Sequence, residues 1–237
     1  LNGMLRLHYQ FIDSEQLSEA FREKLRETIL SFKYWPDEPG VDSMCYWTEN
    51  HHILFSTCEL LAGQLYPDEL FSNSGQTGRE KQARALARIR KWLELRFKAG
   101  FSEWLSNVYY DEDLPALLNL VDFAEDQVVA RNAGAVIDLM CLDMAANSYR
   151  GLFSCSHGRT YTKEKIHPYQ ESTTDTAKLL FGLGSFANED NMSAVFFALS
   201  PNYRLPDVIF QIAADGDRDE WLSRQRMSIK FSEAARW

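Results

Sequence analysis

Few of the features that announce a particular chemistry occur in this sequence. Its 237 residues hold four cysteines, Cys45, Cys58, Cys141 and Cys155. None forms a C-x-x-C pair, and four are too sparse for a disulfide scaffold, so the pattern predicts free thiols buried as small hydrophobes. No apolar run reaches the ~18 residues that a membrane span needs, because residues 128–144 are interrupted by Arg131, Asn132, Asp138 and Asp143. There is no glycine-rich phosphate loop and no G-x-S-x-G elbow. Positive charge is in deficit, with 25 Lys and Arg against 34 Asp and Glu and a net charge of −9. A field of that sign repels polyanions, so neither nucleic acid nor a membrane is expected as a partner, and any anion site has to be local.

What is present is the composition of an ordinary globular domain, 45% hydrophobic and 25% charged. The length suits one domain over residues 1–237. Beginning at Leu1 rather than Met and stopping at Arg236-Trp237, the sequence reads as a fragment of a longer chain; the lack of a charged-then-apolar leader therefore says nothing about compartment.

The periodicity is helical throughout. A first long helix is expected from Asp13 or Ser14, where Asp13-Ser14-Glu15-Gln16 has capping-box character, to just before Pro36, burying Leu17, Phe21, Leu25, Ile29 and Phe32. A second opens at Thr48 and runs to about Leu65 before Pro67. A third starts at Thr77, with Glu80 at capping-box spacing, and ends at Gly100. Residues 101–113 read as an aromatic-rich loop, followed by helices over 114–123 and 125–149. Residues 151–173 break the pattern, and short helices follow over 174–182, 191–199 and 205–214. With no defensible strand pair, the fold class is all-α: antiparallel helical hairpins forming part of an incomplete (α/α) toroid.

Three segments concentrate groups able to do chemistry. Trp47-Thr48-Glu49-Asn50-His51-His52 stands at a helix start, where free N–H groups and the dipole favour an anion. Equally, Thr48 could cap while His51 joins Trp47, Leu54, Cys58 and Leu61 in a core stripe. Trp104 to Tyr109-Tyr110 places rings and amides in a loop, either to stack on a ligand or to plug a gap between hairpins. His157-Gly158-Arg159-Thr160-Tyr161 opens the one locally basic loop of an acidic chain. Arg159 offers a planar fork for a carboxylate, and Gly158 permits close backbone approach, although a solvated loop would look the same.

Other signals are weaker. Lys81, Arg84, Arg88 and Lys91 line one helical face, but pairing with Asp111, Glu112, Asp113, Asp122, Glu125 and Asp126 or plain solvation is expected rather than a phosphate stripe. Glu49-x-x-His52 and Glu164-x-x-His167 match a di-iron pair in spacing alone, the second running into Pro168. Asp215, Asp217 and Asp219 imitate a calcium loop whose turn glycine is replaced by Glu220 and whose terminal acid is replaced by Arg226. No metal site is expected.

The Asn50-His51 step at a helix start, the Tyr109-Tyr110 pair and the later Arg159 and Tyr161 resemble the arrangement in (α/α)-toroid polysaccharide lyases of the alginate and heparinase type, over roughly residues 44–161. The chain departs from that family in showing no β-sandwich and ending before a full toroid. The resemblance implies β-elimination on a uronic-acid-containing glycan. Asn50 and Arg159 would neutralise the carboxylate, His51 or Tyr110 would take the α-proton, and a Tyr hydroxyl would protonate the leaving oxygen. Trp47, Glu49, His52, Trp104, Tyr109, His157 and Tyr161 would line the substrate path. The partner is then a carbohydrate or other small anionic ligand, and the scheme needs no metal or organic cofactor. The rival is a non-catalytic helical module that binds a glycan or protein partner; the two differ in whether Asn50, His51, Tyr110 and Arg159 converge in one pocket.

Overall fold

A computed structural model of the chain describes residues 1–42, 44–186, 191–216, 220, 222–225 and 230–232. Asp217, Asp219 and Arg226 of the calcium-like run lie outside the described residues. The fold is all-α. The main helices are α1 (Asn2–Phe11), α2 (Glu19–Ser31), α3 (Glu49–Leu65), α4 (Gly78–Ala99), α5 (Tyr109–Phe123) and α6 (Gln127–Asn147). The short ones are α7 (Thr162–Ile166), α8 (Thr174–Phe181), α9 (Ser193–Leu199) and α10 (Asp207–Ala214). Among the described residues the only extended pairings are two isolated bridges, Leu70 with Thr77 and Tyr149 with Leu152. No described helix is long and apolar enough to cross a membrane.

Helices α3 and α4 form one hairpin and α5 and α6 a second, and the two pack side by side through α3 against α5 and α4 against α6. The capping box at Thr77 forms as its spacing requires: Thr77 accepts from the Glu80 N–H, while Glu80 accepts from the Thr77 N–H. Gly100 ends α4 with φ of 74°, a conformation glycine adopts without a Cβ penalty. Gly78 lets the start of α4 touch the end of α3, since a Cβ there would collide with the Tyr66 carbonyl.

The core has two parts, one on each side of α3. The larger joins Ile53, Leu60, Ile89, Leu93, Leu117, Ile137 and Met140 between the hairpins. The smaller joins Leu5, Leu25, Ile29, Tyr34, Cys58, Leu61 and Phe71 under α1 and α2. All four cysteines are free; Cys58 and Cys141 are buried and Cys45 and Cys155 partly so.

Two boundaries differ from expectation. The first long helix starts at Glu19, not Asp13, because Ser18 is the residue whose Oγ accepts from the Phe21 N–H, while Ser14 turns back onto Phe11 and Leu17. That turn separates it from α1, which the sequence reading missed. Phe21, assigned to the buried stripe, is 42% exposed. Most important for function, residues 109–113 are helical: Ser106 Oγ accepts from the N–H groups of Val108 and Tyr109, and Asp111 and Glu112 sit in the favourable first turn. The 101–113 loop is thus shorter than expected, and the tyrosine pair belongs to a helix.

Candidate functional site

Helix geometry separates the candidate residues. Successive helical residues point about 100° apart, so Tyr109 and Tyr110 cannot share a surface. Tyr110 is 1% exposed, packs against Phe101 and Phe153, and donates to Asp143 Oδ2 at 2.8 Å. Burial drives its hydroxyl far above the ordinary tyrosine value. Tyr110 thus points inward, at the wall of a pocket it shares with Trp104 and Asp143 and not with Arg159. Tyr109 is the partner that faces out.

Tyr109, Tyr161 and Arg159 form one cluster. Arg159 Nη2 donates to Tyr161 Oη at 2.9 Å and Tyr109 Oη at 3.3 Å, and its guanidinium carbon lies 5.3 Å from each ring centroid. The two hydroxyls share a short hydrogen bond. The bond from Tyr109, then the bond from Arg159, lowers the Tyr161 hydroxyl; Tyr109 is pushed up to about 12 by partial burial and by Tyr161. A cation between an exposed and a half-buried ring suits a carboxylate on a flat ring. Glu103, its pKa raised by burial, is partly offset by the Arg159 charge.

Elsewhere the α3 start is committed to the fold. Glu49 accepts from Ser102 N–H (2.9 Å), Ser102 Oγ (2.7 Å) and Glu103 N–H (2.8 Å), and pairs with Arg96, tying α3 to the loop before α5. Asn50 is fully buried and donates to Glu112 Oε2, while its own Oδ1 has no partner. Thr48 does not cap α3 with its side chain; its hydroxyl bonds His51 Nδ1 instead. The His51 ring stacks on Phe55 and forms part of an apolar cavity wall together with Leu54 and Cys58. His52 turns away, edge-on to Trp35 at 5.2 Å, with its pKa lowered first by burial and then by Arg88. Trp47 is 79% exposed and so leaves the core stripe proposed for it.

Two loop residues make contacts within the fold. His157 Nδ1 bonds the Leu105 carbonyl and the ring lies edge-on to Phe153. Gly158 is small for the sake of Trp104: its N–H donates to the Trp104 carbonyl at 2.8 Å, and an added Cβ would sit 3.1 Å from Trp104 Cβ. Trp104 itself donates through Nε1 to Gln225 Oε1 at 2.7 Å.

The cationic face of α4 is paired, with partners other than those expected. Lys81, Arg84 and Arg88 converge on buried Glu59, and Lys81 and Arg84 also meet Glu38; Arg90 finds a foreseen acid, Asp126. Asp122 instead pairs with Arg6 at 2.7 Å, and Asp111 accepts from the Met192 and Ser193 N–H groups ahead of α9. Glu49 and His52 face different surroundings, so the di-iron spacing yields no pair. No group of three His, Cys, Asp or Glu side chains among the described residues is arranged to hold a metal ion. Glu112 is the residue that sequence reasoning passed over as a site component. Its partner Asn50 lies 62 positions away, which leaves no local signature. Comparison with family models, curated proteins and solved structures returned no match for this chain.

Proposed function

We propose that the chain is a glycan-binding helical module that takes a uronic-acid-containing sugar at Arg159, Tyr109 and Tyr161. The observation that carries this reading is the Arg159 guanidinium held by two phenol oxygens and presented between two rings. Arginine's fork can meet the sugar carboxylate in a bidentate pair, while the tyrosine faces cover the apolar face of the pyranose. Binding fits better than turnover, since Asn50 is occupied by Glu112 and His51 lies on a cavity wall rather than in the Arg159 cluster.

One feature favours β-elimination as the second reading, namely the lowered Tyr161 hydroxyl beside Arg159. In that scheme Tyr161 as phenolate takes the proton α to the carboxylate, Arg159 steadies the enolate-like charge, and Tyr109 returns a proton to the leaving oxygen. Calorimetric titration with an oligouronate, alongside absorbance of the unsaturated product, tests both. Binding that falls roughly ten- to a hundredfold in Arg159→Ala supports the site; product formation selects the lyase, and wild-type affinity in Arg159→Ala removes both readings.

A further inference from the structure

On the other side of the α5 start lies a cavity of about 490 Å³ that the glycan reading does not use. Its volume falls within the ~300–1,000 Å³ typical of small-molecule sites. Phe32, Leu54, Phe55, Pro115 and Phe196 supply an apolar wall from α3, α5, α9 and the segment after α2. Three ionisable side chains interrupt it, His51, Cys58 and Glu112, and Leu1, whose amino group acts on Cys58, also lines it.

Glu112 is the unusual member. It is half-buried, and the hydrogen bond it receives comes from a neutral amide, Asn50 Nδ2. Among the described residues no lysine or arginine nitrogen lies within ion-pairing distance of it. Alongside burial, Glu112 helps to raise Asp111, Asp113 and Glu103, against the opposing effect of Arg96 on Asp113 and of Arg159 on Glu103. Asn50, 0% exposed and with its Oδ1 unpartnered, fixes the carboxylate from behind. A carboxylate held at an apolar wall without a cation is costly unless a ligand brings one.

We propose that this cavity binds an amphipathic amine, its hydrocarbon body against Phe55, Leu54 and Phe196 and its ammonium group on Glu112. The ammonium donates to the carboxylate, and the apolar body loses contact with water on entry. Glu112 is near enough to the Arg159 cluster to act on Tyr161, but this ligand carries the opposite charge to a uronate.

The test uses octylamine, octan-1-ol and octanoate, which share one hydrocarbon chain and differ in head-group charge, titrated calorimetrically below their self-association concentrations. The amine should bind about tenfold or more tightly than the alcohol, a hydrogen-bonded charge accounting for the difference, and octanoate should bind weakest. Glu112→Gln should bring the amine down to the alcohol's affinity, and Leu54→Trp, which fills the cavity, should weaken all three. Should Leu54→Trp fail to fold, the Glu112→Gln comparison decides alone. Equal affinities for the three probes, an amine preference that survives Glu112→Gln, or no binding of any probe would overturn the proposal.

Discussion

Two charged regions flank the ends of α3 and differ in how completely their charges are answered. In the first, Glu59 is fully buried and meets Lys81, Arg84 and Arg88, with Glu38 completing the set and Trp35 lying 3.9 Å under Arg88. Each buried charge has a counter-charge, so the network joins α3, α4 and the segment after α2. In the second, around the starts of α3 and α5, Asn50 Oδ1, Glu103 Oε2 and Asp113 Oδ1 are buried without partners, Glu112 has no cation, and Arg159 stands exposed between two phenols. Charge is plentiful in both regions. What distinguishes structure from a site is whether the charge is satisfied within the fold.

The sharpest way to break this comparison is to remove the centre of the first region. Glu59→Ala leaves Arg88 and part of the Lys81 and Arg84 charge uncompensated in a buried setting and is expected to cost about 3–5 kcal/mol, measured by urea unfolding monitored with circular dichroism. A loss under 1 kcal/mol would show that the network contributes little. The same experiment on Arg159→Ala should leave the unfolding midpoint nearly unchanged, because that side chain is exposed.

A smaller effect is expected from pH. Burial raises Asp111 and Asp143 to about 6 and Glu171 to about 7, above the values these acids have in an unfolded chain. The native state therefore holds more protons than the unfolded state between about pH 4 and pH 7, and stability falls as pH rises through that window and levels off above it. Unfolding at a series of pH values checks the sign. Stability that climbs steadily from pH 4 to pH 7 would show that these carboxyls are ionised at little cost.

Much of the scaffold could be read from sequence because its signals are local. The Thr77–Glu80 box, Gly100, and Pro67 beyond α3 each act within a few residues. The start of α2 was misplaced because Ser14 and Ser18 both offer cap chemistry and only packing chooses between them. The site was less legible for the same reason on a larger scale. Deciding between Tyr109 and Tyr110 required knowing that α5 begins at Tyr109, which depends on Ser106 bonding the Val108 and Tyr109 N–H groups. The α4 cations could be expected to pair, but Glu38 and Glu59 lie 43 and 22 positions from Lys81 and carry no local mark of their role.

The account rests on the Arg159, Tyr109 and Tyr161 cluster being where a carboxylated sugar docks. The most direct measurement is an amide chemical-shift titration of the isotopically labelled chain with an oligouronate. The account predicts saturable shifts centred on the start of α5 and on residues 157–162, absent in Arg159→Ala. Shifts centred on the α4 cations Lys81, Arg84 and Arg88, or unchanged in Arg159→Ala, would contradict it.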